Sequence, residues 1–252
     1  MDHGNNDTTM YDYRHYYKVT LWRLKMKATK LAIALLAATG ISAIATPVMA
    51  YEAGDWLIRG RIVNVNPNDS SGTLFTAGTP IAGTGVTVDS DTIPELDITY
   101  MIAPNWGVEL ILGYSKHTVT SFGVAANAAS PDVINAKALP PTLTLQYHFA
   151  PNSNIRPYVG AGVNYTYFFD EKVAGALNAP GADVSMESSW GLAVQAGVDI
   201  ALNDDWFVNA DVKYIDMNTT ANFNASNALG IPLSVDVDVD PVVWGIGIGR
   251  RF

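Results

Sequence analysis

From residue 55 to the C-terminus, hydrophobic residues alternate with polar or small residues at a period of two. Around residue 195, for instance, Leu192, Val194 and Ala196 lie on one face, and Gln195 and Asp199 lie on the other. This pattern predicts β-strands, because successive side chains of a strand point to opposite faces. Eight segments show it, and we predict strands at 55–66, 91–102, 105–120, 136–149, 154–169, 187–202, 205–222 and 236–252.

The connections between these predicted strands alternate in length. Short turns surround Pro104 and occupy 150–154 and 203–205. Long stretches of polar or small residues occupy 67–90, 121–135, 170–186 and 223–235. An even number of strands, with short turns at one end and long loops at the other, is typical of an outer-membrane barrel. The sequence therefore predicts an all-β protein, an eight-stranded antiparallel transmembrane β-barrel.

The period alone does not say which face meets lipid, since a soluble lipocalin-type barrel turns its apolar face inward. Two features favour lipid outside. The apolar faces carry bulky residues and begin or end on aromatic ones, such as Trp190 and Trp206, which prefer the membrane–water boundary. The opposite faces carry many glycines, and small residues suit the crowded interior of a narrow barrel.

The segment before the barrel is typical of an export signal. Lys27 and Lys30 precede the apolar run "LAIALLAATGISAIA", and small residues Val48 and Ala50 follow it. We therefore predict a signal peptide at 26–50, cleaved before Tyr51, and a single barrel domain at 51–252. Residues 1–25 show no usable period, and we interpret them as an upstream extension or a disordered leader. Export and barrel together predict the outer membrane of a Gram-negative cell.

Charge and composition narrow the partners. Residues 51–252 contain 9 basic and 21 acidic side chains, a formal charge of −12, so we expect no nucleic-acid partner. The chain contains no Cys, which excludes disulfides and zinc–thiolate sites. Asp236, Asp238 and Asp240 form a ladder on one strand face, whereas calcium ligands must converge from several directions. We therefore expect no metal site and no cofactor.

Five segments carry a family resemblance and follow one another in the family's order: "GDWLIRGRIVNVNP", "LPPTLTLQYHF", "RPYVGAGVNYTYFFD", "SSWGLAVQAGVDIALNDDWFVNADVKYIDMNTTANF" and "VDPVVWGIGIGRRF". They resemble the OmpW family of Gram-negative outer-membrane proteins. The resemblance implies an eight-stranded barrel with a narrow, largely apolar internal path. It also implies the uptake of small hydrophobic molecules, since the family includes relatives that help alkanes into cells.

Several partners follow from this interpretation. They are outer-membrane lipid and lipopolysaccharide, small hydrophobic solutes, and the barrel assembly machinery, which would read the C-terminal Phe252. A closed barrel has no free edge, so we expect a monomer. The alternative is a structural, adhesive or receptor barrel that acts through its extracellular loops, whose composition suits either role.

The inward faces divide by depth. Near the short turns they carry charged and polar residues, which we call the polar plug: Arg59, Arg61, Asp97, Glu109, Gln146, His148, Asp199, Asp211 and Lys213. Buried charges need partners, so we interpret this set as a neutralised plug and keep an ion path as the alternative. Nearer the long loops the inward faces turn apolar, and we predict that a solute path is lined by Val63, Val65, Ile111, Phe168, Ile215, Met217, Val235, Val237 and Val239.

Proline marks the candidate openings in the wall. Proline has no N–H to donate to a strand ladder, and a closed barrel has no edge strand at which the missing hydrogen bond would be harmless. Pro94, Pro140, Pro141 and Pro241 all fall near strand ends. They either lie above the lipid, where water satisfies the orphaned partners, or open the wall sideways. Our hypothesis is that the breaks near Pro140–Pro141 or Pro241 open the wall sideways, with passive uptake from above and lateral release into the bilayer.

The sequence also permits a weak enzyme hypothesis. Residues 51–252 contain two histidines, His117 and His148, and Ser115 lies on the same strand face as His117. A serine nucleophile needs a base that a third group orients, and no such group is apparent. We therefore predict that the protein is not an enzyme and has no catalytic residues.

Overall fold

A computed structural model describes residues 49–123 and 131–252. The predicted leader lies outside the described residues, as does the predicted signal peptide apart from Met49 and Ala50. The strands are Trp56–Asn66 (β1), Ser70–Ser71 (β2), Phe75–Thr76 (β3), Thr79–Pro80 (β4), Gly85–Val88 (β5), Asp91–Ala103 (β6), Trp106–Gly113 (β7), Ser115–Phe122 (β8), Asp132–Leu139 (β9), Thr142–His148 (β10), Ile155–Val173 (β11), Val184–Met186 (β12), Ser189–Ala201 (β13), Trp206–Ile215 (β14), Asn218–Phe223 (β15), Leu233–Asp238 (β16) and Val242–Arg251 (β17). A short 3-10 helix spans Gly175–Leu177. Within these residues, no helix is long and apolar enough to cross a membrane.

Eight of the strands close into one antiparallel barrel. Around the wall they follow the order β1, β6, β7, β10, β11, β13, β14 and β17, and β17 pairs back with β1. The ladders are long: β11 and β13 pair from Ile155↔Ile200 to Thr166↔Ser189. Each of these strands has a partner on both sides, so along these ladders the backbone polar groups are satisfied within the wall, as lipid requires. The predicted eight-stranded antiparallel barrel is confirmed.

Short strands continue the wall above the barrel, on the side of the long connections, which we call the upper end. There β5, β8 and β9 join the upper part of β11, while β12, β15, β16 and β2 to β4 form a second sheet. The sequence prediction treated 67–90 and 170–186 as loops, but they contain β2 to β5 and β12. These strands are only two to four residues long, too short to show a period. Partners remote in sequence hold them, as in Val237↔Ser71.

The structure also divides four of the predicted strands. It splits 105–120 at Tyr114, 136–149 at Pro140 and Pro141, 205–222 before Asn218, and 236–252 at Pro241. The parity of the side chains is kept across the last break, because Val237 and Val239, which precede residue 240 in the sequence, and Val243, which follows it, are all buried. Each predicted strand is therefore one continuous wall element with a local interruption.

Bulky apolar side chains cover the outside of the barrel. Trp190, Leu192 and Ile246 are 71%, 66% and 68% exposed, an arrangement that would be costly in water and suits lipid. Aromatic pairs mark both rims of this apolar band. Trp56 packs against Tyr100 at the lower rim with tilted rings (4.9 Å between ring centroids), and Tyr165 packs against Trp190 in the same way at the upper rim (4.7 Å).

Candidate functional site: an apolar cavity above a polar plug

Buried charged side chains fill the lower half of the barrel interior. Arg59 donates from Nη2 to Asp199 Oδ2 (2.8 Å) and from Nη1 to the Thr99 hydroxyl (2.7 Å). The same Nη1 lies 3.4 Å from Glu109 Oε1. All four side chains are fully buried. A buried charge is stable only when it is paired and hydrogen-bonded, so these contacts are a condition of the fold.

Arg61 forms the centre of a second, larger group of charges. Its Nε lies 3.0 Å from Glu95 Oε1 and 2.6 Å from Asp97 Oδ2, and both contacts are ion pairs that are not aligned as hydrogen bonds. Its Nη1 lies 3.4 Å from Asp211 Oδ1. Lys213 completes the group by donating to Glu95 Oε1 at 2.6 Å. The group therefore forms the upper surface of the plug, with Lys213 and Glu95 directly beneath the apolar half of the interior.

Glycines on the inward face make room for these side chains. A Cβ at position 247 would lie 2.2 Å from Gly60 O and 2.6 Å from Arg61 Cγ. Any larger residue at Gly247 would therefore collide with both the wall and the arginine. This is the physical reason for the glycine-rich inward faces: the interior is too narrow for two large side chains at one level.

The structure places the whole predicted plug inside the wall. All nine side chains are buried: Arg59, Arg61, Asp97, Glu109, Gln146, His148, Asp199, Asp211 and Lys213. Gln146 and His148 contact each other (Oε1···Nε2 3.2 Å).

Several partners in this region were missed by the sequence analysis. Gln195 donates to Glu109 Oε2 (2.6 Å), and the Tyr158 hydroxyl donates to Asp211 Oδ2 (2.9 Å). Strand parity could have found Gln195, because it shares a face with Asp199. Nothing in the sequence pattern identifies Tyr51, which precedes β1, yet its hydroxyl donates to Asp199 Oδ2 at 3.0 Å.

Above the plug lies an apolar cavity. Eight of the nine predicted path residues line it: Val65, Ile111, Phe168, Ile215, Met217, Val235, Val237 and Val239. Val63 packs beside them in the same buried cluster. The enclosed space is about 60 Å³, which at about 10–15 Å³ for one water molecule is room for a few waters or a short, thin chain. A bulkier molecule can enter only if the surrounding wall widens.

The wall beside this cavity is interrupted between β7–β8 and β9–β10. The β7–β10 ladder ends at Ile111↔Thr142, and the β8–β9 ladder begins at Ser115↔Ala138. The register is the same on both sides, so residues 112–114 face residues 139–141 without forming ladder pairs. We call this interruption the slot. Pro140 and Gly113, from its two sides, both line the cavity.

The two prolines explain the slot. The Pro141 carbonyl accepts from Tyr165 N (3.1 Å), so Pro141 faces β11, and by alternation Pro140 faces Gly113 across the slot. Neither proline has an N–H to donate. The amide of buried Asn164 compensates from inside by donating to Pro140 O at 3.2 Å. The slot therefore remains in register but lacks the backbone bonds that hold the rest of the wall.

The other two candidate prolines differ from each other. The β6–β7 ladder stops at its upper end at Glu95↔Gly113, and Pro94 lies just above this last pair. The wall is therefore interrupted on both sides of Tyr114: towards residues 139–141 at the slot, and towards β6. At Pro241 the wall holds, because Ile215 N donates to Pro241 O (3.2 Å) and Val239 N donates to Met217 O (2.7 Å). The structure therefore groups Pro94, Pro140 and Pro141 around one weak part of the wall and places Pro241 elsewhere.

This architecture has known relatives. A family model described as the OmpW family matches residues 52–252. The chain belongs to the OmpW family. It is 39% identical over 231 residues to Outer membrane protein W of Vibrio cholerae serotype O1, covering 90% of this chain and 100% of that protein. The crystal structure of the outer membrane protein OprG from Pseudomonas aeruginosa is similar to this OmpW-family barrel at a TM-score of 0.76. The two are 43% identical, and the match covers 81% of this chain and 99% of that one.

A third relative carries a chemical name. The Dibenzothiophene metabolism operon protein PahQ of Pseudomonas aeruginosa is 31% identical over 211 residues, covering 83% of this chain and 93% of that protein. The family and the relatives named above place this OmpW-family chain in the Gram-negative outer membrane as a transmembrane barrel. The predicted family and location are confirmed.

One constellation in the OmpW-family barrel corrects the sequence analysis. Ser115 Oγ lies 2.8 Å from His117 Nε2, as its place on the same strand face suggested. A third group does exist: His117 Nδ1 lies 2.8 Å from the backbone oxygen of Asp89 and 3.8 Å from its carboxylate. Asp89 falls in a predicted loop, so the alternation of β8 contained no sign of it. The histidine thus bridges β8 and the chain between β5 and β6.

We expect no ester hydrolysis from this arrangement, because Asp89 holds the histidine through a carbonyl, which gives the developing imidazolium less charge stabilisation than a carboxylate does. The measurement is the release of p-nitrophenol from p-nitrophenyl butyrate by the purified barrel. We expect the rate to equal that of the Ser115→Ala variant. A rate that exceeds this variant's, and falls with His117→Ala, would contradict the prediction that the protein is not an enzyme.

Proposed function

We propose that this OmpW-family barrel is an outer-membrane channel for the passive uptake of small hydrophobic molecules, which enter the apolar cavity from above and leave sideways through the slot into the bilayer. One observation carries the proposal: an apolar cavity lies directly above a charged floor and directly beside an interrupted part of the wall. The three features together give an apolar solute one favourable way in and one way out.

The floor argues against passage straight through the barrel. Below Val243 and Ile215 the interior changes from apolar residues to the ion pairs of Lys213, Glu95 and Arg61. An apolar molecule that entered this layer would separate charges that are buried and paired, which costs several kcal/mol. It would gain no apolar contact in return. The plug therefore stops a hydrophobic solute at the level of Lys213.

The slot offers a cheaper exit. Residues 112–114 and 139–141 share no ladder pairs, so widening the wall there breaks few backbone hydrogen bonds. Outside the slot lie the exposed side chains of Tyr114 and Leu139, at the upper rim of the apolar band. Transfer from water into lipid is favourable for an apolar solute, so this route requires no energy source.

A relative's name is consistent with this class of solute. PahQ, which is 31% identical to this chain, is named for an operon of dibenzothiophene metabolism, and dibenzothiophene is an apolar aromatic compound. A role as an adhesive or receptor barrel is the alternative, and it would require neither the cavity nor the slot.

Other partners belong to the same proposal. Phe252 is 60% exposed at the lower rim, and its backbone pairs with that of Trp56, where the last and first strands meet. We propose that the assembly machinery reads this residue before the barrel closes. Asp236 and Asp238 point outward above the apolar band and would meet lipopolysaccharide through bridging cations. Since all eight barrel strands are paired on both sides, we propose that the protein acts as a monomer.

A disulfide across the slot tests the exit. The chain has no native Cys, so Tyr114→Cys with Leu139→Cys creates one defined pair at facing outward positions. We expect the oxidised double variant to take up a radiolabelled medium-chain alkane at the rate of cells that lack the protein. Reduction should restore uptake to the wild-type rate, because it frees the slot and nothing else.

The matched control is a disulfide lower in the same part of the wall, between β7 and β10. Val108 and Leu145 are directly paired where the ladder is intact, so Val108→Cys with Leu145→Cys should leave uptake unchanged whether oxidised or reduced. Uptake that persists through a closed slot would eliminate the sideways exit. Uptake that does not depend on the protein at all would favour the adhesive or receptor barrel.

A further inference from the structure

The apolar cavity contains a serine hydroxyl beside the slot. Ser115 is 3% exposed and lines the cavity together with Val119, Ile134 and Ala138, on the strands that border the slot. A polar group in such a place restricts what can bind, because a buried hydroxyl opposite an apolar surface loses its hydrogen bonds with water.

The hydrogen bonds around Ser115 define where its proton points. The Asp89 carbonyl 2.8 Å from His117 Nδ1 can only accept, so Nδ1 carries the proton. In the neutral imidazole Nε2 is then an acceptor, and Ser115 Oγ, 2.8 Å away, donates to it. The Ser115 oxygen therefore presents its lone pairs to the cavity and has no proton left to offer.

The other hydroxyls of the cavity are arranged alike. Thr219 donates to Glu187 O (2.7 Å), and Thr142 donates to Pro140 O (3.0 Å). Among the described residues, the hydroxyl groups that line the cavity thus all donate to the protein itself. What they present to a solute is acceptor capacity.

We propose that Ser115, oriented by His117, binds the hydroxyl group of a primary alcohol whose alkyl chain lies in the apolar cavity. This inference rests on the proposed function, since it takes the cavity as the site that solutes occupy during uptake. A solute that can only accept, such as a ketone, would bring its oxygen against the lone pairs of Ser115 and lose its hydrogen bonds with water. An alcohol keeps one hydrogen bond, so it should bind about tenfold more tightly than the ketone of equal length.

The test is an NMR titration of isotope-labelled protein in lipid nanodiscs with 1-hexanol, 2-hexanone and hexane, at about pH 8.5, where a histidine side chain in water is neutral. In the wild type we expect 1-hexanol to shift the Ser115 and His117 signals and to bind about tenfold more tightly than 2-hexanone. Equal affinities for the alcohol and the ketone would overturn the inference.

Further variants test whether the orientation of the Ser115 proton, rather than a general disturbance of the site, causes the preference for the alcohol. Ser115→Val combined with His117→Leu removes both the hydroxyl and the imidazole acceptor behind it, so the preference for the alcohol should disappear. His117→Leu frees the serine proton, so the ketone should bind within about twofold of the alcohol. Ser121→Val, which removes a hydroxyl from the same strand outside the cavity, should behave like the wild type. A preference that survives in this double variant would overturn the inference.

The binding test is independent of transport. If purified protein prefers the alcohol but cells show no protein-dependent uptake, the proposed function fails and the binding site stands. If cells take up alcohol and ketone through the protein and the purified protein binds both equally, the channel stands and the role of Ser115 fails.

Discussion

We expect the replacement of Val237 by Asp to abolish the protein-dependent uptake of a radiolabelled medium-chain alkane. Val237 is 4% exposed and lines the apolar cavity, so the new carboxylate stands where the solute must pass. An ionised group without a partner in such a place costs several kcal/mol or draws water into the cavity. Since about 1.4 kcal/mol corresponds to a factor of ten, we expect uptake to fall by at least about tenfold. Phe168→Asp, on β11 beside the same cavity, should have the same effect.

A matched control exists on the same strand. Ser234 lies on the opposite face of β16 from Val237, so Ser234→Asp adds the same charge outside the cavity and should leave uptake unchanged. Uptake is measured in cells that lack the native protein and express each variant, after its heat-modifiable gel mobility has shown that it reaches the outer membrane folded. If both cavity variants take up the alkane at the wild-type rate, the cavity is not the path of the solute. The barrel would then serve as an anchor for loops that carry the function.

The second large effect concerns stability. Changing Arg61 to Met removes the cation that lies within 4 Å of Glu95, Asp97, Glu109 and Asp211. Glu95 and the four carboxylates of the polar plug would then share two cations, Arg59 and Lys213. Removing one partner from a buried ion cluster typically lowers the free energy of unfolding by about 3–5 kcal/mol. The measurement is the urea midpoint of the barrel refolded in lipid vesicles, followed by tryptophan fluorescence.

Arg250→Gln provides the comparison, because it removes a cation whose side chain is 43% exposed and lies 3.8 Å from Asp205. A surface pair of this kind contributes at most about 1 kcal/mol. We also expect Arg61→Met to raise the ion conductance of the barrel in planar bilayers, since the plug loses its central side chain. If the two variants unfold at the same urea concentration and conduct alike, the cluster is neither a stabilising plug nor a barrier.

The sequence was enough to predict which side chains point into the barrel and which point outward. In β14, the exposed residues Trp206 and Val208 alternate with the buried residues Asn209, Asp211 and Lys213, as the period of two predicts. The same rule placed Val235, Val237 and Val239 inside and Asp236 and Asp238 outside. Parity is a local property, since each strand residue fixes the direction of the next. The strand faces could therefore be read from the sequence before any pairing was known.

The slot could be predicted only in part from the sequence. The prolines at 140 and 141 marked a weakness, because the loss of an N–H is a property of the residue itself. That Pro241 belongs to an intact wall, whereas Pro94 borders the weak part, depends on Met217, Gly113 and other partners from distant segments. A sequence shows which donors are missing but not which neighbours replace them.

By itself, the sequence determined the all-β class, the number of barrel strands, the face of each side chain and the layering of an apolar half over a charged half. Only the tertiary structure decided that Arg61 serves four carboxylates, that Tyr51 closes on Asp199, and that an Asp89 carbonyl directs the His117 ring. The physical reason is the range of the interactions. Alternation acts between neighbours along one strand, whereas a hydrogen bond or an ion pair joins whichever groups the closed wall brings within about 3 Å of each other.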